Sequence, residues 1–179
     1  GKNIIPTLLA NGEKLYSYAF SGYWKDVGTI GSLWEANMDL LKSPPEFVLT
    51  YPRWKSYSRT PVMPPHFIAD DAVVENSMVT EGCEIDGIVR DSVLFAGVTV
   101  EKGAVVEDSV IMPGTTVNAG AVVRRAIVSE NCVISGGCQV GEADGDIALI
   151  GQDTVLPEGY VVKAGLQVDN DAISRKEGA

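Results

Sequence analysis

Apolar residues recur every six positions through the C-terminal part of the chain. Three successive sets show this spacing, and each set follows the previous one after 17 residues. The sets are Leu94, Val100 and Val106; Ile111, Val117 and Val123; and Val128, Ile134 and Val140. A six-residue step fits neither the roughly 3.6-residue period of a helix nor the two-residue alternation of one long strand. It is typical of short flat segments joined by corners, three of which complete one coil of a parallel β-helix built from hexapeptide repeats.

A second column of mostly small residues supports this register. It lies four positions after the apolar column and contains Cys83, Val98, Ala104, Thr115, Ala121, Cys132 and Cys138. Because all three cysteines fall in it, we expect small buried apolar side chains rather than metal ligands or reactive thiols. Their odd number and the lack of a CxxC spacing also speak against a disulfide framework and favour a reducing cytoplasm.

A different texture precedes the repeat. Aromatic residues alternate over residues 14–20, which predicts a strand, and apolar residues share one helical face over residues 30–41. Prolines at 44 and 45 end that helix, and residues 43–66 hold six of the nine prolines. We therefore divide the chain into a short α/β unit (1–42), a proline-rich linker (43–66), the β-helix (67–165) and a polar tail (166–179).

The charge of the chain limits its partners. Lys and Arg total 14 against 24 Asp and Glu, which gives a formal net charge of −10. Such an acidic chain is a poor ligand for nucleic acid or for an anionic membrane surface. No apolar run approaches the roughly 20 residues that a membrane-spanning helix needs. The composition is that of a soluble globular protein, for which nucleic acid and anionic membranes are weak candidates as partners.

The densest cluster of candidate functional residues is residues 21–29, between the predicted strand and the predicted helix. Asp26 lies where a strand ends, which is where the active sites of α/β proteins gather. Thr29 is placed to cap the following helix. From the residues alone, Asp26 is either a ligand of a cation or an ordinary capping or solvated acid.

Three segments of this region resemble bacterial glucose-1-phosphate adenylyltransferases: residues 1–6 (GKNIIP), 23–29 (YWKDVGT) and 34–40 (WEANMDL). The linker and the coils, including residues 108–114 (DSVIMPG), resemble the same family. The resemblance implies an enzyme of glycogen biosynthesis that makes ADP-glucose and pyrophosphate from ATP and glucose 1-phosphate. It also implies that the β-helix is left-handed, that it serves assembly into homotetramers and allosteric control, and that residues 1–42 end a nucleotidyltransferase domain.

The resemblance also assigns roles to two residues. Asp26 would be catalytic and would hold Mg²⁺ together with a second acid that this chain lacks, and Trp24 would line the glucose 1-phosphate site. The family's glycine-rich nucleotide loop and sugar-binding lysine would lie before Gly1. We therefore expect the 179-residue chain alone to be inactive.

Several alternatives stay open at this point. A related sugar-phosphate nucleotidyltransferase and a non-catalytic regulatory subunit fit the same segments. Hexapeptide acyltransferases use the same helix with a catalytic histidine, but the only histidine, His66, precedes the coils. Arg124 and Arg125 lie at a corner and are either part of a site for an anionic metabolite effector or solvated. Lys25 is likewise either near a phosphate or solvated.

Overall fold

The computed structural model describes residues 2–49, 53–54, 57 and 62–177. Within these residues, eighteen short strands form three parallel sheets, because each strand pairs with the strand three places further along the chain. The first sheet contains β1 (Phe67–Ile68), β4 (Glu84–Ile85), β7 (Thr99–Val100), β10 (Thr116–Val117), β13 (Val133–Ile134) and β16 (Val155–Leu156). The second contains β2 (Val73–Glu75), β5 (Ile88–Arg90), β8 (Val105–Glu107), β11 (Val122–Arg124), β14 (Gln139–Val140) and β17 (Val161–Val162). The third contains β3 (Met78–Val79), β6 (Val93–Leu94), β9 (Val110–Ile111), β12 (Ala126–Val128), β15 (Ala148–Ile150) and β18 (Gln167–Val168).

The predicted parallel β-helix and its register are confirmed. Val117 in β10 pairs with Val100 on one side and with Ile134 on the other, as the 17-residue repeat requires. All nine residues of the apolar column are completely buried, and so are the seven residues of the small column. The three cysteines are free and buried, and burial raises the pKa of each thiol. They are core residues, as predicted.

Coil length varies only at the corners. Val128 pairs with Ile111, which lies 17 residues earlier, but with Ile150, which lies 22 residues later. The additional residues follow β14, where Gly141 has a φ of +72° and a Cβ would lie 1.9 Å from the carbonyl oxygen of Arg124. Only glycine permits that approach, so the chain can leave the β-helix at this corner and return to it at β15.

The C-terminal end differs from the sequence-based boundary at 165. The last strand, β18, lies beyond that boundary, and helix α3 (Asn170–Glu177) follows it. Ile173 of this helix is only 6% exposed and belongs to the core cluster. The residues divided off as a polar tail thus complete the final coil and cover its open end, which would otherwise expose apolar side chains and unpaired strand edges.

The N-terminal unit is helical. Helix α1 spans Ile4–Ala10, helix α2 spans Ile30–Met38, and a 3₁₀ turn at Asp39–Leu41 follows, which confirms the helix predicted for 30–41. The strand predicted for 14–20 is wrong: these residues are described and carry no strand, and Tyr16 and Tyr18 are about as exposed as side chains can be. A strand needs a neighbour for its backbone hydrogen bonds, and no described segment lies alongside this one. Part of the predicted linker, residues 50–52, 55–56 and 58–61, lies outside the described residues.

Helix α2 covers the outer side of the third sheet. Val93, Val110 and Ile127 stand next to core residues in their strands and so face outward, yet each is at most 4% exposed. The indole Nε1 of Trp34 donates to the carbonyl oxygen of Asp108 at 2.8 Å, which fixes the helix against this sheet. Among the described residues, no helix has the length and apolar character to cross a membrane.

Candidate functional site

The 23–29 segment presents two different sets of side chains before helix α2. Tyr23 and Lys25 are half-buried, whereas Trp24 is 73% exposed and Asp26 is also exposed. This alternation is the two-residue period of an extended chain, whose neighbouring side chains project to opposite sides. Trp24 and Asp26, the two residues singled out from the sequence, therefore lie together on the outer side of the segment.

The inner side of the segment is bound to Asp39. One carboxylate oxygen, Oδ2, accepts from the Tyr23 hydroxyl at 2.8 Å and from Lys25 Nζ at 2.9 Å. The other, Oδ1, pairs with Lys42 Nζ at 2.8 Å. Lys25 also pairs with Glu35 at 3.1 Å. We call Asp39, Tyr23, Lys25 and Lys42 the Asp39 cluster.

Electrostatics of the Asp39 cluster favour its charged form. Asp39 is only 6% exposed, and a carboxylate so placed is costly unless it is fully paired. Hydrogen bonds from Lys42 and Lys25 hold the pKa of its carboxyl well below the usual range. The same contacts raise the pKa of both lysines. Partial burial, and then the hydrogen bond to Asp39, raises the pKa of Tyr23.

The sequence pattern gives no sign of this cluster. It leaves Lys25 either near a phosphate or solvated, whereas the structure places it in an ion pair with Asp39. An acid at the end of a helix is usually solvated, so Asp39 itself gave little signal. The polar groups of Tyr23 and Lys25 need an acceptor wherever the segment packs, but nothing in the sequence identifies Asp39 as that acceptor.

The segment ends at a well-formed helix cap. Ser32 N donates to Thr29 Oγ1 at 3.1 Å, and Thr29 N donates to Ser32 Oγ at 3.0 Å, which is a reciprocal capping box. The predicted cap at Thr29 is therefore confirmed. Asp26, three residues earlier, takes no part in it and has no hydrogen bond or ion pair to another described residue.

The two arginines at the β11–β12 corner have defined contacts. Arg124 pairs with Glu107 at 2.8 Å. Arg125 pairs with Asp108 at 3.0 Å, donates to the Gly145 carbonyl oxygen at 2.8 Å and lies 4.7 Å from the centre of the Trp34 ring. Both are thus used in structural contacts, and Arg125 joins the corner loop of the longest coil to helix α2.

A cleft of about 430 Å³ lies between the start of helix α2 and this corner loop. Its lining includes Trp34, Glu35, Arg125 and Asp146. It therefore combines one guanidinium group with two acids and an aromatic ring, a mixed set of charges rather than a purely basic one.

The exposed carboxylate of Asp26 suits a hard cation. Mg²⁺ prefers carboxylate oxygens, keeps several water ligands and needs only one or two protein carboxylates. No group of three or more His, Cys, Asp or Glu side chains in the described part of the chain is placed to hold a metal ion. Asp26 presents a single carboxylate, so it could be at most one ligand of a metal ion.

Comparison with known proteins identifies relatives of both parts of the chain. Residues 1–43 match the nucleotidyl transferase family, and residues 64–162 match the GlmU-like C-terminal hexapeptide family. A glucose-1-phosphate adenylyltransferase of Clostridium perfringens (strain SM101) is 58% identical over 105 residues, which are 59% of this chain and 27% of that protein. Proteins of the same name from Bacillus mycoides (strain KBAB4) and Bacillus cereus (strain ATCC 10987) are 54% identical over 105 residues, 28% of each. The matched stretch thus spans little more than a quarter of these relatives.

Proposed function

Since the chain belongs to the GlmU-like C-terminal hexapeptide family, and its start matches nucleotidyl transferases, we propose that it is the C-terminal part of a glucose-1-phosphate adenylyltransferase. The relatives that share this name and more than half of the aligned residues support the proposal. The observation that carries it in the structure is the 23–29 segment, which holds Trp24 and Asp26 exposed side by side on an anchored stretch of chain.

The proposed reaction transfers an adenylyl group. A phosphate oxygen of glucose 1-phosphate attacks the α-phosphorus of ATP, the bond from that phosphorus to the bridging oxygen breaks, and pyrophosphate leaves with both electrons. Both reactants are anions, so their approach and the charge on the leaving group need cationic groups around them. A Mg²⁺ ion held by Asp26 would supply part of this charge neutralisation.

Each of the two exposed residues has a distinct role in the proposal. Asp26 would bind the cation through its carboxylate, and a second acid from outside this chain would complete the protein ligands. Trp24 offers an aromatic face of the kind that packs against a sugar ring, beside the phosphate. The 179 residues alone contain one side of this site, and we expect no turnover from them.

The β-helix is proposed to serve assembly and regulation. Its second sheet carries Val73, Ile88, Val105 and Val122 on the outer side, each only half-buried in the single chain. Such a row of apolar side chains supports contact between subunits, and a homotetramer is the proposed assembly. An anionic effector is proposed to bind at the corner that carries Arg124 and Arg125, where it would replace Glu107 and Asp108 as their partners. Buried free thiols are compatible with action in the reducing cytoplasm. The proposed reaction belongs to glycogen biosynthesis.

The test uses the product of the complete gene. Pyrophosphate release from ATP and glucose 1-phosphate is measured with Mg²⁺ for the wild type, for Asp26→Asn and for Asp71→Asn. Asp71 is a matched control, because it is an exposed acid on the β-helix that pairs with Lys102 at 3.1 Å. We expect Asp26→Asn to lower the rate by at least about 100-fold and Asp71→Asn to leave it unchanged.

Other outcomes identify the alternatives. Turnover with a different nucleoside triphosphate or sugar phosphate, but not with this pair, would indicate a related nucleotidyltransferase. A folded full-length protein without turnover on any such pair, which still alters the rate of a catalytic homologue, would indicate a regulatory subunit. Equal rates for the wild type and Asp26→Asn would leave the enzyme assignment intact but remove Asp26 from the site.

A further inference from the structure

Trp24 and Asp26, the exposed pair in the 23–29 segment, have no hydrogen bond or ion pair that fixes them to another described residue. Trp24 is 73% exposed, and Asp26 is exposed as well. A side chain that must present a ligand oxygen to a cation needs a backbone that does not move, since small displacements weaken both binding and catalysis. The order of this pair must therefore come from residues on the other side of the segment.

Asp39 is the group to which that other side is attached. Tyr23 directly precedes Trp24, and Lys25 directly precedes Asp26. Tyr23 and Lys25 donate to the same oxygen of Asp39, at 2.8 and 2.9 Å. The Tyr23 ring is also stacked on Phe47, with ring centres 4.2 Å apart. The segment is thereby fixed at its two inward residues, Tyr23 and Lys25. The backbone of Trp24 between them and of Asp26 after them is fixed as well.

The attachment closes a loop around Asp26. Downstream of it, the capping box at Thr29 begins helix α2, and Asp39 lies in the 3₁₀ turn immediately after that helix. Asp39 thus connects the end of α2 back to the residues that precede Asp26, across 14 and 16 positions of the chain. Because Trp34 binds α2 to the solenoid, the closed loop is also anchored to the β-helix.

We propose that Asp39 is a positioning residue of the adenylyl-transfer site, which orients Asp26 for the cation and Trp24 for the sugar phosphate without touching either. This inference rests on the proposed function. It also assigns Lys25 a partner, so that its charge neutralises Asp39 and Glu35 and does not bind a substrate phosphate. Asp39 is also the only buried acid among the described residues.

The first experiment tests the attachment itself, in the 179-residue chain and without any activity. Trypsin cleavage after Lys25 is followed by mass spectrometry, with cleavage after the exposed Lys14 as the internal reference. Asp39→Asn keeps the shape of the side chain but removes its charge. Losing one charge-assisted hydrogen bond should raise cleavage after Lys25, relative to Lys14, by about 10-fold. Asp71→Asn, which breaks a surface pair on the solenoid, should leave the ratio unchanged.

The second experiment tests the consequence for the reaction, in the full-length protein. Asp39→Asn is expected to raise both the Mg²⁺ concentration for half-maximal rate and the KM for glucose 1-phosphate by about 10-fold, with a smaller change in the KM for ATP. Val117→Ala is the control for stability, because it weakens the buried core in a strand of the first sheet, not of the third sheet that helix α2 covers. It should lower the melting temperature without moving either constant.

The outcomes separate this inference from the proposed function. Asp39 is not a positioning residue if Asp39→Asn leaves the cleavage ratio unchanged. The same conclusion follows if the full-length enzyme is active and Asp39→Asn changes neither its Mg²⁺ dependence nor its KM for glucose 1-phosphate. If Val117→Ala shifts those constants as much as Asp39→Asn does, the effect is one of stability and the inference is overturned. If the cleavage ratio rises but the folded wild type turns over no nucleotide and sugar phosphate, the attachment stands and the proposed function fails.

Discussion

Val117 lies at the middle of the solenoid core, where its side chain is completely buried between two neighbouring coils. Val117→Ala removes two methyl groups from this position. At about 0.8 kcal/mol for each buried carbon group, the transfer free energy alone is roughly 1.6 kcal/mol. The cavity left between the coils brings the expected loss of unfolding free energy to about 2–3 kcal/mol. In a protein of this size that corresponds to a melting temperature lower by about 4–12 °C.

The assay is thermal and urea unfolding of the 179-residue chain, followed by far-ultraviolet circular dichroism. Val155→Ala is the matched control, since Val155 is 53% exposed and directly precedes the buried Leu156 in the same sheet. The control should change the unfolding free energy by no more than about 0.5 kcal/mol. The two variants remove the same atoms from a strand of the same sheet, so any difference between them reports which side of the strand the residue faces.

Equal effects of the two substitutions would refute the assigned register. Val117→Asp extends the test, because an unpaired carboxylate in this core costs several kcal/mol, about as much as a domain's whole stability. A soluble Val117→Asp chain with the wild-type melting temperature and spectrum would contradict the inward position of this column.

Three further predictions concern other parts of the molecule. Trp34→Phe keeps an aromatic ring but leaves the Asp108 carbonyl without its donor, so urea unfolding should show a loss of about 1 kcal/mol; no loss would mean that the helix is not held there. The depressed pKa of Asp39 adds stability that is complete above its ordinary pKa of 3.8 and is lost as the pH falls towards its folded-state pKa. The free-energy difference between wild type and Asp39→Asn should thus be constant near neutral pH and shrink below about pH 4, and a difference that grows in acid would contradict the pairing with Lys25 and Lys42. The three buried thiols should react with a disulfide reagent at pH 8 only as fast as the chain unfolds, and rapid labelling without denaturant would show that they are accessible.

The β-helix was predictable from the sequence because its core repeats with the chain. From β6 to β14, each inward position is occupied by a residue whose counterpart lies 17 places away, so a single column of apolar residues reveals strand pairing as well as burial. Helix α3 gave no such signal. It is mostly polar and buries chiefly Ile173, and one apolar residue does not make a pattern.

The candidate site was predictable only where a short stretch of sequence indicates a function or a local structure by itself. Asp26 and Trp24 stood out through the resemblance of residues 23–29, and the cap at Thr29 follows from local chemistry. The Asp39 cluster escaped because it joins positions 14 to 16 residues apart through side chains, and no periodicity links them. The strand expected for 14–20 failed for the opposite reason, since its alternation was clear but alternation does not supply a partner.

The extra residues after β14 show where this architecture tolerates a change in length. A residue inserted within a flat face would rotate every later inward side chain towards solvent, whereas five more at a corner leave the next strand in register with Val128. Length variation and grafted peptides should therefore be accepted at this corner and rejected a few residues to either side. In the same loop, the carbonyl oxygen of Gly145 accepts from Arg125, and the loop lines the cleft beside helix α2. Insertions and deletions there can therefore change the cleft during evolution while the β-helix keeps its structure.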